Sequence, residues 1–303
     1  MNLTQIEHLA AQTADEVAEL ASQLVQCNSA HPDGHTDEVV AMIQDYCDQH
    51  GIINEIHAND RKKPNIVARV EGTSDKTGLW LGHIDVVPAG TPEFWTYPPY
   101  SGTIADGNVW GRGSSDMKGA CASALIAARL LSQADDPPPY NIEFWFSPDE
   151  EIGGPAGARW LAESGRLKGE VCLIGDGSGG GYEMPSLDLG CKGGLKVRLI
   201  AKGHTAHGST PFLGDNALRK LIDVVPIVER IHEFKLDYPG ELVEVIESSL
   251  VHFKATQALT PAQEEASDRL FDYPTVTCNI LNAGVKVNVV PDYAEAEFDI
   301  RLT

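Results

Sequence analysis

Apolar residues in the first 26 positions (Leu3, Ile6, Leu9, Ala10, Val17, Leu20, Ala21, Leu24, Val25) recur at helical spacing with acids between them, which predicts an amphipathic helix over 3–26. The same periodicity predicts helices over 35–50 and 117–134. Between them lie short apolar runs bounded by Gly and Pro: Asn65 to Val70, Leu79 to Val87, Ile142 to Phe146 and Val171 to Ile174. These read as strands, and the last three, which lack a polar face, are expected at the centre of a sheet. Helices alternating with strands of this kind predict an α/β fold, a mixed central sheet flanked by helices.

The pattern changes after Cys191. A strand over 194–201, a helix over 216–234 and two strands over 275–283 and 293–302, joined through Val290-Pro291-Asp292, predict a smaller α+β unit. Thr260-Pro261 followed by Glu264 marks the start of another helix. The other residues between the 216–234 helix and the strand at 275 carry no legible pattern. The expected domains are 1–190 and 191–303.

With 303 residues and 42% hydrophobic composition, the chain can bury the cores of about two domains. Its 23 basic against 44 acidic residues give a formal charge of -21, which repels nucleic acid and anionic membrane surfaces. No segment is long and apolar enough to span a bilayer, and the acidic N-terminal helix is unlike a signal peptide. Six widely spaced cysteines with no CxxC pair suit reduced thiols, so a cytoplasmic setting is expected.

Three apolar strands end in residues able to hold a cation, and open α/β sheets place their sites at the carboxyl ends of strands. His83 and Asp85, two apart on one face of their strand, suit either a metal ligand with its orienting carboxylate or a hydrogen-bonded pair. Asp149, Glu150 and Glu151 crowd the exit of the next strand; so many adjacent carboxylates call for a cation or a protonated acid unless they form an exposed turn. Asp176 follows the strand that ends at Ile174, in a glycine-rich stretch whose spacing is wrong for a phosphate loop. Asp116, at the start of the 117–134 helix, suits an N-cap or a ligand. Together they fit a pair of divalent ions with mixed nitrogen and oxygen donors, zinc first, with manganese or cobalt also suited.

The stretches GHIDVVP, WGRGSSDMKG, PDEEIGG, GHTAHGSTP and NVVPD followed by DIR resemble, in order over residues 80–303, the co-catalytic zinc metallopeptidase and deacylase family. That family includes acetylornithine deacetylase, succinyl-diaminopimelate desuccinylase, aminoacylase, carnosinase and glutamate carboxypeptidase. The resemblance implies a zinc-peptidase-like catalytic domain with a ferredoxin-like lid and dimerisation domain. It implies His83 and Asp176 as ligands of one metal, Glu151 of the second, Asp116 as the bridging carboxylate, Glu150 as general base and Asp85 as the group that orients His83. It further implies that His207 stabilises the oxyanion in a neighbouring subunit's site, and that Asn288 and Arg301 contact the substrate carboxylate. The implied activity is hydrolysis of an amide bond in an N-acyl amino acid or small peptide with a free carboxylate, by a homodimer.

The family pattern continues past the strand matched by Tyr293 to Leu302 with a second lid helix, another strand and a histidine that completes the second metal site. The residues up to Thr303 do not supply these parts, so both domains are expected to be incomplete and the chain to be a fragment of a longer protein. The alternative function is an inactive binding or dimerisation module on the same scaffold.

Overall fold

The first amphipathic stretch folds as two helices, α1 (Leu3–Gln12) and α2 (Ala14–Gln26), broken at Thr13, whose hydroxyl donates back to the Leu9 carbonyl at 3.0 Å. A hydroxyl that bonds its own backbone competes with helix continuation. The predicted helix over 35–50 is α3 (Asp37–His50), closed by Gly51 in the left-handed region at φ 68. The computed structural model describes residues 3–176 and 190–303, and the chain divides into two units, residues 1–181 and 182–303.

The first unit continues with β1 (Ile53–His57), β2 (Asn65–Val70) and β3 (Thr77–His83), then a small hairpin of β4 (Thr103–Ala105) and β5 (Asn108–Trp110). After α4 (Gly119–Ser132) come β6 (Asn141–Ser147), α5 (Ala158–Glu163) and β7 (Val171–Ile174). Five strands form one sheet in the order β1-β2-β6-β3-β7. β2 pairs antiparallel with β1 and β6, while β3 runs parallel to β6 and β7, so the sheet is mixed. One face packs on α2, α3 and α4 through Leu24, Ile43, Ile66, Met117, Leu125 and Phe146; the other buries Val67, Leu79 and Trp145 against Leu161 of α5. This is the sheet flanked by helices that the alternating pattern implied.

Three expectations need correction. β7, expected at the centre, is paired on one side only among the described residues and its four residues are exposed; β2 lies inside the sheet with five of its six residues buried. An apolar run reports burial on both faces in the finished fold, not position in the strand order. β3 ends at His83 and not at Val87, because the backbone then turns to bond residues 29–31, with the His31 N–H donating to the Val86 carbonyl at 3.0 Å. α4 begins at Gly119, since Asp116 (φ -121, ψ 95) and Met117 (φ -136, ψ 29) are outside helical geometry.

The second unit contains β8 (Gly193–Lys202), α6 (Ala217–Glu229), α7 (Val243–Thr256), α8 (Pro261–Ser267), β9 (Thr275–Ala283) and β10 (Tyr293–Leu302). β10 is the middle strand of an antiparallel sheet, order β8-β10-β9. Its alternate residues Ala294, Ala296, Phe298 and Ile300 are buried with Ala217 and Leu221 of α6, the period-two pattern of a strand with one covered face. Asn216 caps α6 by accepting from the Arg219 N–H at 3.0 Å. α8 begins with a capping box between Thr260 and Gln263; α7 fills part of the stretch that carried no pattern. Among the described residues no helix is long and apolar enough to cross a membrane.

Cys47 is fully buried on α3, and burial, then Asp48, pushes its thiol up to about 12 from an ordinary 9.0. The folded chain therefore holds this proton where the unfolded chain has released it. Its contribution is fully present below pH 9.0 and is lost as pH rises toward 12. Urea unfolding at successive pH values above 9.0 should show stability falling by up to about 1.4 kcal/mol per pH unit from this group, and Cys47→Ala should flatten that slope.

Candidate metal centre

β3 lies between β6 and β7 with all three parallel, so their carboxyl ends open side by side. The register places His83 opposite Ser147 and Leu81 opposite Ile174. The chain leaving β3 carries Asp85, the turn after β6 carries Asp149, Glu150 and Glu151, and Asp176 lies two residues beyond β7. Asp116 arrives from the loop ahead of α4. That loop is pinned to β3 by Met117, whose sulfur accepts from the His83 N–H at 3.1 Å, and α4 itself by Cys121, whose thiol donates to the His83 carbonyl at 3.3 Å.

Two glycines make room for the floor of this site. A Cβ on Gly82 would come within 2.4 Å of the Trp80 ring and 2.6 Å of the Met117 methyl, and one on Gly175 within 2.4 Å of the same ring. These residues precede His83 and Asp176, so the indole sits directly under two candidate ligands.

His83 is 2% exposed. Its Nδ1 donates to the Asp85 backbone carbonyl at 3.0 Å and lies 3.5 Å from Asp85 Oδ1, leaving Nε2 to face Asp116 Oδ1 at 2.9 Å. Burial works against an imidazolium here, but the hydrogen bond and charge of Asp85, then Asp116, outweigh it and put the pKa at about 9. Glu150, Glu151 and Asp176 are each held above the usual carboxylate range, first by partial desolvation and then by neighbouring acids, with Asp116 acting on all three and His83 opposing. A site in which one imidazole attracts a proton and several carboxylates repel one another favours positive charge at its centre.

The donor set passes the test of fit for a divalent ion. One ligand atom each from His83, Asp116 and Glu151 lies within 4.8 Å of the others, close enough for a single ion to reach all three. The donors are nitrogen and oxygen with no thiolate, the set that zinc accepts alongside manganese and cobalt. Asp176 falls outside this group, although its charge is coupled to both Asp116 and His83. Glu150, next to Glu151 on the same turn, is exposed and bonded to Asp85 only through its backbone N–H.

Asp85 is fully buried and accepts four hydrogen-bond or ionic contacts: the Glu150 N–H at 3.1 Å, the Glu151 N–H at 3.2 Å, His31 Nε2 at 2.9 Å and His83. Burial alone would raise its pKa; bonding to His83 and His31 reverses that and keeps it ionised. Neither His31 nor Lys63, whose Nζ meets Asp149 Oδ1 at 2.8 Å, is singled out by the sequence alone. Neither residue has a local motif; only the folded backbone brings them in.

The remaining candidates belong to the second unit. His207 Nδ1 is 2.8 Å from the Ser209 hydroxyl, and the adjacent Gly208 N–H donates to the Asn288 carbonyl at 2.8 Å, so His207 and Asn288 lie together. Arg301 is eight residues along β10 from Tyr293, roughly 26 Å at the rise of an extended strand. Its Nε donates to both carboxylate oxygens of Asp299, at 3.1 and 2.9 Å.

Residues 79–271 match the family model described as Peptidase family M20/M25/M40. Over 266 residues the chain is 31% identical to a Staphylococcus aureus (strain MSSA476) protein named "Probable succinyl-diaminopimelate desuccinylase", covering 87% of this chain and 62% of that one. Over 210 residues it is 32% identical to a succinyl-diaminopimelate desuccinylase of Paracoccus denitrificans, covering 68% of this chain and 54% of that one. An M20 family metallo-carboxypeptidase from Sulfolobus solfataricus shares the fold, with a TM-score of 0.72 at 21% identity over 95% of this chain and 71% of that one. The chain thus spans less than two thirds of the length of these curated relatives.

Because no Cβ fits at Gly82 without displacing Trp80 or Met117, Gly82→Ala should cost about 1–3 kcal/mol, the usual range for overpacking. Urea unfolding checks this; an unchanged midpoint would show that the indole and thioether yield freely.

Proposed function

The chain belongs to peptidase family M20/M25/M40, and from that membership we propose that it carries the chemistry of a two-metal amidohydrolase. The observation that carries the reading is the convergence of His83, Asp116 and Glu151 on one point, with Glu150 on the same turn. The substrate we assign is an N-acyl amino acid or small peptide whose scissile amide is next to a free carboxylate. The desuccinylase names of the relatives and the carboxypeptidase name of the structural neighbour both support this class.

His83 Nε2, Asp116 and Glu151 would hold the ions, zinc by donor type, with Asp176 as a further ligand. Bound there, the ions supply the positive charge that polarises the scissile carbonyl and acidifies the attacking water. Glu150 takes the proton from that water and hands it to the leaving amine, so that water and amide become acid and amine. Asp85, with its own backbone carbonyl, fixes the His83 tautomer that leaves Nε2 free for metal.

Residues 191–303 act as lid and dimerisation domain. His207 stabilises the oxyanion in a neighbouring subunit's site, and Asn288 and Arg301 bind the substrate carboxylate, for which Arg301 must exchange Asp299. The six cysteines, none in a disulfide, support a reducing, cytoplasmic setting.

The test is zinc calorimetry beside an assay of amine release from N-succinyl and N-acetyl amino acids. Glu150→Gln should keep zinc affinity while turnover falls about 10²–10⁴-fold, the span for loss of a general base. His83→Ala should lose zinc uptake. Wild-type turnover in Glu150→Gln would remove it as the base, and a chain that takes up no divalent ion would favour the binding or dimerisation module.

A further inference from the structure

His31 lies outside every motif of the site, yet the backbone delivers it there with care. The Val86 N–H donates to the Ser29 carbonyl at 3.2 Å and the His31 N–H donates to the Val86 carbonyl at 3.0 Å, so residues 29–31 run beside the chain that carries Asp85. The Ser29 hydroxyl closes the same seam by donating to the Ile84 carbonyl at 2.6 Å. Gly34, at φ 55, folds its backbone over the imidazole so closely that a Cβ there would fall 2.5 Å from the ring. The ring is thereby held with Nε2 2.9 Å from Asp85 Oδ2. An ionised carboxylate only accepts, so Nε2 carries the proton and donates.

The same carboxylate oxygens receive the backbone N–H groups of Glu150 and Glu151. We infer that His31 is a positioning residue: by donating to Asp85 it fixes the carboxylate that in turn fixes the turn bearing Glu150 and Glu151. This rests on the proposed roles of those two glutamates for its consequence, but not for its geometry.

A different reading of the same atoms is a further cation site, because ligand atoms of His31, Asp85 and Asp149 also lie within 4.8 Å of one another. The surrounding contacts favour the clamp. The Lys63 ammonium already lies 2.8 Å from Asp149 and supplies the positive charge, while both Asp85 oxygens are committed to N–H donors. Asp149 is a non-glycine residue at φ 65, so Lys63 secures the first residue of the turn that Asp85 secures at its second and third.

The test is residue-resolved amide exchange on the metal-free chain, with His31→Phe, which keeps ring volume without the donor, and His31→Gln, which restores an N–H donor. In His31→Phe the Glu150 and Glu151 amides should exchange about tenfold faster while Phe144 and Trp145 of β6 keep their protection; in His31→Gln the rates should return to within about threefold of wild type. Zinc affinity should follow the same order, weakened about tenfold in His31→Phe, the lower end of what loss of an outer-shell partner causes. Unchanged Glu150 and Glu151 exchange in His31→Phe, equal acceleration across β6, or a His31→Gln variant as fast as His31→Phe would each overturn the inference. A wild-type chain that binds no zinc would count against the metal reading alone, since the exchange result decides the role of His31 without metal.

Discussion

A carboxylate with no solvent exposure must be neutralised by donors or lose its charge, and Asp85 meets that requirement in a way that organises everything around it. It bonds the imidazole at the end of β3, an imidazole from the N-terminal segment, and two consecutive backbone N–H groups from the turn after β6. Three parts of the chain more than fifty residues apart are therefore tied to one pair of oxygens. The same tie turns the His83 ring so that Nε2 faces Asp116, which the loop ahead of α4 brings to the ends of the three parallel strands.

Much of this was legible in the sequence. The strands before Asp149 and before Asp176 and the body of the strand that carries His83 were visible as apolar runs, and β10 was expected at its observed bounds. His83 and the acids after β6 stood out because they follow apolar strands, and Asp116 because it precedes a helix; the separate roles of His83, Asp116 and Glu151 were implied by the family resemblance. What was not legible has a physical cause in each case. β3 ends early because residues 29–31 compete with its ladder, and no local window of sequence contains that competitor; the break at Thr13 comes from a local hydroxyl bond that helical periodicity alone does not reveal.

His31 and Lys63 show the same limit at the site. Each acts through a single long-range bond, at 2.9 Å to Asp85 and 2.8 Å to Asp149, and neither stands in a motif. The strand order was also hidden: β7 is apolar, yet among the described residues it pairs only with β3, while β2, with its polar Asn65 and Arg69, lies inside. Asn65 is accommodated there by donating to the Ala156 and His57 carbonyls, and Arg69 by pairing with Glu143 and Glu55.

His83, Asp116 and Glu151 are proposed to hold a divalent ion. X-ray absorption at the zinc edge, on the chain loaded with zinc, tests it most directly. The spectrum should show a first shell of nitrogen and oxygen only, at about 2.0–2.2 Å, including the multiple scattering of one imidazole, all of it lost in His83→Ala. Sulfur scattering at about 2.3 Å, or a nitrogen and oxygen shell that survives His83→Ala, would contradict it.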